Sequence, residues 1–162
     1  MITDKDIYLD EEVEKVEPFE RPAIRFSHIE SDDVGLRPYQ AEMKHNIYGL
    51  WDKKDNVMLQ MPTGTGKTIV FTSVVKDILR WCNLHSRESK ILIVAHRREL
   101  IRQASRKLGN IPHGVIVSGE KLDLDKSIQV ASIQTFMSRR HYEIMRRVQF
   151  DFIIIDEAHH CM

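Results

Sequence analysis

Apolar positions change their period several times along this 162-residue chain. Tyr39, Met43, Ile47 and Leu50 recur every three or four residues, the spacing of one helical face. They predict a helix from Leu36 to about Lys53, with Pro38 where a first turn accepts proline. Asn56–Met61 reads as a short apolar strand. It breaks at Pro62-Thr63-Gly64-Thr65-Gly66-Lys67-Thr68, and Ile69, Val70, Val74, Ile78 and Leu79 then resume helical spacing to about Trp81. Lys90–Ala95 is a continuous apolar run, as in a parallel strand covered on both faces. A helix follows from about His96, with Gly109 as its stop. Gly114–Val117, Ile128–Ile133 and Phe152–Ile155 read as further strands, with a Ser118-Gly119 turn, a charged loop from Glu120 to Lys126, and a helix from about Gln134 to Arg147. Ala23–Phe26 could form an edge strand. Strands alternating with helices predict an α/β fold with a mainly parallel sheet flanked by helices.

Charge divides the chain. Residues 1–35 hold 11 acidic and 4 basic side chains, and residues 36–162 hold 13 acidic and 20 basic. The first stretch therefore reads as an acidic, solvated lead-in, and 36–162 as one domain of balancing net positive charge. Cys82 and Cys161 are too few for a disulfide framework and fit a reducing cytoplasm. No apolar run approaches the length of a membrane span, so no membrane partner is expected.

Chemistry concentrates where strands end. A strand, a glycine-bearing loop and a helix form the context of a phosphate-binding loop. Gly64 and Gly66 let the backbone curl its N–H groups inward, and the start of the helix favours negative charge. Lys67 can reach β and γ phosphates, and the Thr68 hydroxyl can ligate Mg²⁺. Met61 stands where the consensus loop begins with glycine. Asp156 and Glu157 terminate an apolar strand, at the end where open α/β sheets bind ligands. Such a pair can hold a metal and activate water. Gln40 can match an adenine edge with one donor and one acceptor; by spacing alone the surface reading is favoured over it. Arg98, Arg102 and Arg106 share one helical face, open to either a solvated surface or an anionic partner. His159, His160 and Cys161 lack a second pair at metal-ligand spacing.

The ordered set Leu36-Arg37-Pro38-Tyr39-Gln40, Met61–Thr68, Ala95-His96-Arg97-Arg98-Glu99-Leu100, Ala131-Ser132-Ile133-Gln134-Thr135 and Asp156-Glu157-Ala158-His159-His160 resembles the first RecA-like domain of superfamily 2 DEAD/DEAH-box helicases and translocases. The nearest flavour is that of restriction-enzyme motor subunits and DNA-repair helicases. The resemblance runs from about Leu36 to the end. It implies a P-loop NTPase that uses ATP and Mg²⁺. Gln40 and Arg37 would line the base pocket, and Thr63, Gly64, Thr65, Gly66, Lys67 and Thr68 would hold the triphosphate. Thr68 and Asp156 would bind Mg²⁺, Glu157 would activate water, and His159 would couple the nucleotide site to a second domain. Arg97, Arg98, Ser132, Gln134 and Thr135 would contact a nucleic-acid backbone, DNA in preference to RNA.

The family continues with a Ser-Ala-Thr-type motif on another strand and a second RecA-like domain carrying arginine fingers. The resemblance therefore implies an incomplete domain, one in which the Asp-Glu strand and the phosphate-loop strand lack their shared neighbour. By itself the chain is expected to bind ATP and hydrolyse it feebly or not at all. The rival expectation is a non-catalytic nucleotide- or nucleic-acid-binding module acting through a partner. A small P-loop kinase explains neither Gln40 nor the Ala131–Thr135 stretch.

Overall fold

The computed structural model describes residues 26–119, 121–136, 138 and 148–156. Four short strands form one sheet: β1 (Ile91–Ala95), β2 (His113–Ile116), β3 (Ile128–Ser132) and β4 (Phe152–Ile155). Their order is β2-β3-β1-β4, and every pairing is parallel. Register sets Ile91 of β1 beside both Ile128 and Phe152, so the central strands share one starting line. The Lys90 N–H donates to Asp151 at 2.7 Å and the Asp151 N–H to the Lys90 carbonyl at 2.8 Å, which pins the start of β4 to that of β1.

Among the described residues four helices accompany the sheet: α1 (Pro38–Trp51), α2 (Lys67–Leu84), α3 (Arg98–Leu108) and α4 (Ile133–Phe136). Val70, Val74, Val75 and Ile78 of α2 and Ile101, Ala104 and Leu108 of α3 join Ile91, Ile93, Ile128 and Val130 in the main core. Leu92, Val94, Ile116 and Ala131 form a second cluster with Leu122, Leu124, Ile133, Phe136 and Phe150. All five residues of β1 are buried, as its unbroken apolar run requires, and so are all five of β3, its polar Gln129 and Ser132 included. No helix among the described residues is long and apolar enough to cross a membrane.

Three expectations are corrected. Residues 56–61 form no strand. A strand exists only by pairing its N–H and C=O groups with a neighbour, and β1 already carries β3 on one edge and β4 on the other. Phe26 opens a 3₁₀ turn, Phe26–His28, not an edge strand; Ala23–Arg25 lie outside the described residues. Nor is the whole of 1–35 a solvated surface segment. Phe26 and Ile29 are core residues, and the Phe26 ring stands 4.6 Å from that of Trp51 and 5.5 Å from that of Phe152.

The apolar stripe of α1 is also rotated from expectation: its buried residues are Gln40, Lys44, Ile47 and Tyr48, while Leu50 is exposed. The reason lies between α1 and α2. Lys44, with no exposed surface, donates to Asp77 Oδ2 at 2.9 Å, Ser73 Oγ at 3.0 Å and the Asp32 carbonyl at 2.7 Å, and lies 2.9 Å from Asp33. Asp77, itself buried, also accepts from Tyr48 at 2.8 Å, the Asp32 N–H at 3.3 Å and Arg80. Burial first, then the Asp77 carboxylate, pushes the Tyr48 phenol far above its ordinary range, so it stays a donor. Hydrogen bonds from Ser31, then Lys44 and His45, hold the Asp33 carboxyl well below the usual range.

Removing one member of such a pair strands the other, at about 3–5 kcal/mol. Lys44→Met is expected to lose that much in urea unfolding, and Lys44→Met/Asp77→Leu to recover most of it; a double variant no better than the single one would refute the pairing. Asp33 stabilises fully above the ordinary carboxyl value of 3.8 and loses that contribution as the pH falls below it. Asp33→Asn should therefore flatten the loss of stability between neutral and strongly acidic pH, read as urea midpoints. Equal slopes would count against this role.

Candidate functional site

The loop between residue 61 and α2 is built on two left-handed glycines, Gly64 at φ +81° and Gly66 at φ +90°. Gly66 is the N-cap of α2, and no side chain bonds to the cap. The leading N–H groups of α2 thus lack helical acceptors and carry the positive end of the helix dipole. Space over Gly64 is open, whereas a Cβ on Gly66 would stand 2.5 Å from Gln40 Nε2.

The loop is tied at its middle. The Thr65 carbonyl accepts from the Tyr39 hydroxyl and from Gln40 Nε2, both at 2.8 Å, and Thr65 Oγ1 donates to the Pro62 carbonyl at 2.6 Å. Lys67 Nζ donates to the Met61 carbonyl at 3.0 Å, spanning the loop it belongs to. Thr68 is buried, and Thr63 is exposed.

Gln40 is not a surface residue. It is buried, and its Oε1 accepts the Arg37 N–H at 3.0 Å. That is the back-bond of a capping box, made by the third helical residue to the exposed N-cap residue Arg37. An amide has two donor hydrogens and two acceptor lone pairs, so one of each stays uncommitted by these two bonds. Tyr39, sorted by its period into the apolar stripe, is a loop-holding residue that sequence reasoning missed. Its place beside Gln40 at the start of α1 was the available signal.

Asp156 follows β4 directly, and its N–H donates to the Val94 carbonyl at 2.8 Å, which fixes it at the C-terminal end of the sheet. Glu157 and His159 lie outside the described residues, as do Arg139, Arg140, Arg146 and Arg147. Among the described residues no group of three or more His, Cys, Asp or Glu side chains could hold a metal ion.

A second set converges at the same end of the strands. Ala95 and Ser132 are in register, so β1 and β3 finish side by side. Ser132 Oγ donates to Gln134 Oε1 at 2.6 Å, and Gln134 Nε2 donates to His96 Nδ1 at 3.1 Å. Thr135 Oγ1 accepts the Ser118 N–H at 3.1 Å, and the Ser118 carbonyl accepts from Arg98 at 3.4 Å. Arg98, Ser132, Gln134 and Thr135 are thus brought together in two linked groups around the strand ends. Arg97, the exposed N-cap residue of α3, takes no part in these bonds. Ser118 is the residue sequence reasoning did not single out; its turn at a parallel strand's C-terminal end was the signal.

Residues 33–162 match the family model described as type III restriction enzyme, res subunit. Curated relatives include the ATP-dependent DNA helicase fml1 of Schizosaccharomyces pombe, 26% identical over 117 residues, and the ATP-dependent DNA helicase MPH1 of Kluyveromyces lactis, 36% identical over 73 residues. These matches cover 65% and 45% of this chain but only 14% and 7% of the relatives' lengths. Among solved structures, a nuclease-deletion mutant of the Type ISP restriction-modification enzyme LlaGI with a DNA substrate mimic matches with a TM-score of 0.59 and 22% identity, covering 76% of this chain and 15% of that one. The SWI2/SNF2 ATPase core of Sulfolobus solfataricus with double-stranded DNA matches with a TM-score of 0.63 and 18% identity, over 85% of this chain and 29% of that one. At these identities the likeness is one of fold: a parallel sheet with flanking helices, as in RecA-like ATPase cores.

Gly66→Ala should destabilise the chain by about 1–2 kcal/mol from left-handed strain alone, and by more through collision with Gln40. In a double-mutant cycle followed by urea unfolding, the penalty of Gly66→Ala should shrink in a Gln40→Ala background. Strict additivity would contradict the contact.

Proposed function

The chain belongs to the family described as type III restriction enzyme, res subunit, and on that premise we propose that it is the ATP-binding part of an ATP-dependent DNA helicase or translocase. The observation that carries this reading is the phosphate loop. It combines two left-handed glycines, an uncapped helix start and an adjacent lysine whose side chain, among the described residues, bonds to its own loop alone.

In this reading Lys67 exchanges the Met61 carbonyl for the β and γ phosphates of ATP. The N–H groups of Thr63 to Thr68 cradle the same phosphates. Gln40 keeps its bonds to Thr65 and Arg37 and offers its remaining donor and acceptor to the adenine edge, with Arg37 beside it. The Thr68 hydroxyl and the Asp156 carboxylate are hard oxygen donors, the kind Mg²⁺ prefers, and they would hold that ion. Bound there, Mg²⁺ supplies charge neutralisation between the β and γ phosphates. Glu157 takes the role of orienting and deprotonating the attacking water, and His159 that of coupling the site to a second RecA-like domain.

The Arg97, Arg98, Ser132, Gln134 and Thr135 end of the sheet takes the phosphate backbone of a nucleic acid, with little dependence on base sequence. DNA is favoured over RNA, because the relatives are named DNA helicases and the two solved neighbours hold DNA or a DNA mimic.

A thermal melt with and without Mg²⁺·ADP tests the nucleotide site. At a ligand concentration 100 times the dissociation constant, the folded state should gain about 2.7 kcal/mol. The gain should vanish in Lys67→Ala. A wild-type melt indifferent to nucleotide would sink the proposal.

A further inference from the structure

Five cations lie between Arg97 and Lys107, namely Arg97, Arg98, Arg102, Arg106 and Lys107, against one carboxylate, Glu99. All five are exposed. Elsewhere Lys44, His45, Arg80 and Lys126 each lie against a carboxylate. Among the described residues none of the five cations has such a partner. The opposite side of α3 is committed to the core through Ile101, Ala104 and Leu108, so the stripe cannot rotate away from solvent.

Arg98, Arg102 and Arg106 follow one another at four-residue steps. Each step climbs about 6 Å along the helix, a spacing commensurate with successive phosphates along a strand. Arg98 also reaches the Ser118 carbonyl at 3.4 Å, so the stripe begins inside the cluster at the strand ends. A guanidinium binds a phosphate through two parallel N–H bonds, which suits a repeating anionic ligand better than a lone ion.

Resting on the nucleic-acid reading above, we propose that Arg102 and Arg106 extend the phosphate-binding track down α3. A duplex would then be held along its flank as well as at the ends of the strands. The track is a backbone contact and adds no sequence preference. It distinguishes ligands by length, because a dinucleotide whose single phosphate sits at Arg98 does not reach Arg106, about 12 Å further down the helix.

Fluorescence anisotropy of a labelled long duplex and a labelled dinucleotide, titrated across salt concentrations with the whole chain, tests this. Each duplex phosphate contact contributes about 0.9 to the slope of log K against log salt. Arg102→Ala/Arg106→Ala should therefore lower the duplex slope by about 1.8 and leave dinucleotide binding unchanged. Lys53→Ala/Lys54→Ala removes the same charge from an exposed site elsewhere and should leave the slope near wild type. If the Arg102/Arg106 variant behaves like that control while Arg98→Ala lowers the slope, the track ends at Arg98 and only this inference fails. If no variant changes the slope, or no DNA binds, the nucleic-acid reading fails with it. Binding of polyglutamate through Arg102 and Arg106 without binding of DNA would assign the face to an acidic protein partner and overturn the proposal.

Discussion

The buried pair of Lys44 and Asp77 is the constraint on which the geometry of the site depends. An ammonium with no exposed surface is tolerable only with every proton engaged. Lys44 meets this by taking oxygen atoms from α2, from the Asp32 carbonyl and from Asp33. Those bonds leave α1 one seating against α2. The other face of α2 is set on the sheet by Val70, Val74 and Ile78. The position of the sheet is thereby transmitted through α2 to α1, and from α1 to Tyr39 and Gln40 at its start. These two residues hold the Thr65 carbonyl, and with it the phosphate loop.

Charge is distributed in a graded way. Behind the loop, Lys44, Asp77 and Tyr48 are fully paired and dry. At the loop, Lys67 has one neutral carbonyl as its partner among the described residues, so its charge is not balanced by a carboxylate there. On α3 the arginines have no carboxylate at all among the described residues. A row of exposed cations with no carboxylate partner is available for an anionic ligand. The sheet order and register bring the strand ends of β1, β3 and β4 side by side, and the row of α3 arginines starts from that end.

Much of the fold was legible. The run Ile91–Ala95 is apolar because both faces of that strand are covered, and continuous burial leaves an unambiguous pattern. The first three helices appeared within a few residues of their expected bounds, and the fourth begins beside its expected start, its expected end at Arg147 lying outside the described residues. Period analysis failed where polar residues are buried. Lys44 and Asp77 look like surface positions of a helix, since periodicity ranks residues by hydropathy and is blind to a partner 33 positions away. Tyr39 was placed in an apolar stripe when its hydroxyl is what matters. Phe26 and Ile29 were hidden by the acidic composition around them. The apolar run at 56–61 signalled a strand, yet strand formation needs a neighbour as well as a pattern.

By itself, the sequence determined the class of fold, the phosphate loop with its glycines and lysine, and the arginines and hydroxyl residues at the strand ends. These are local features: a turn needs its glycines and a buried strand needs its apolar run, wherever the rest of the chain goes. Only the tertiary structure decided that Gln40 and Tyr39 grip the loop at Thr65, that Ser118 joins Arg98 to Thr135, and that a buried lysine sets two helices against each other. Each of these is a bond between residues far apart in the chain, and its geometry exists only once the sheet order and helix seating have brought them together.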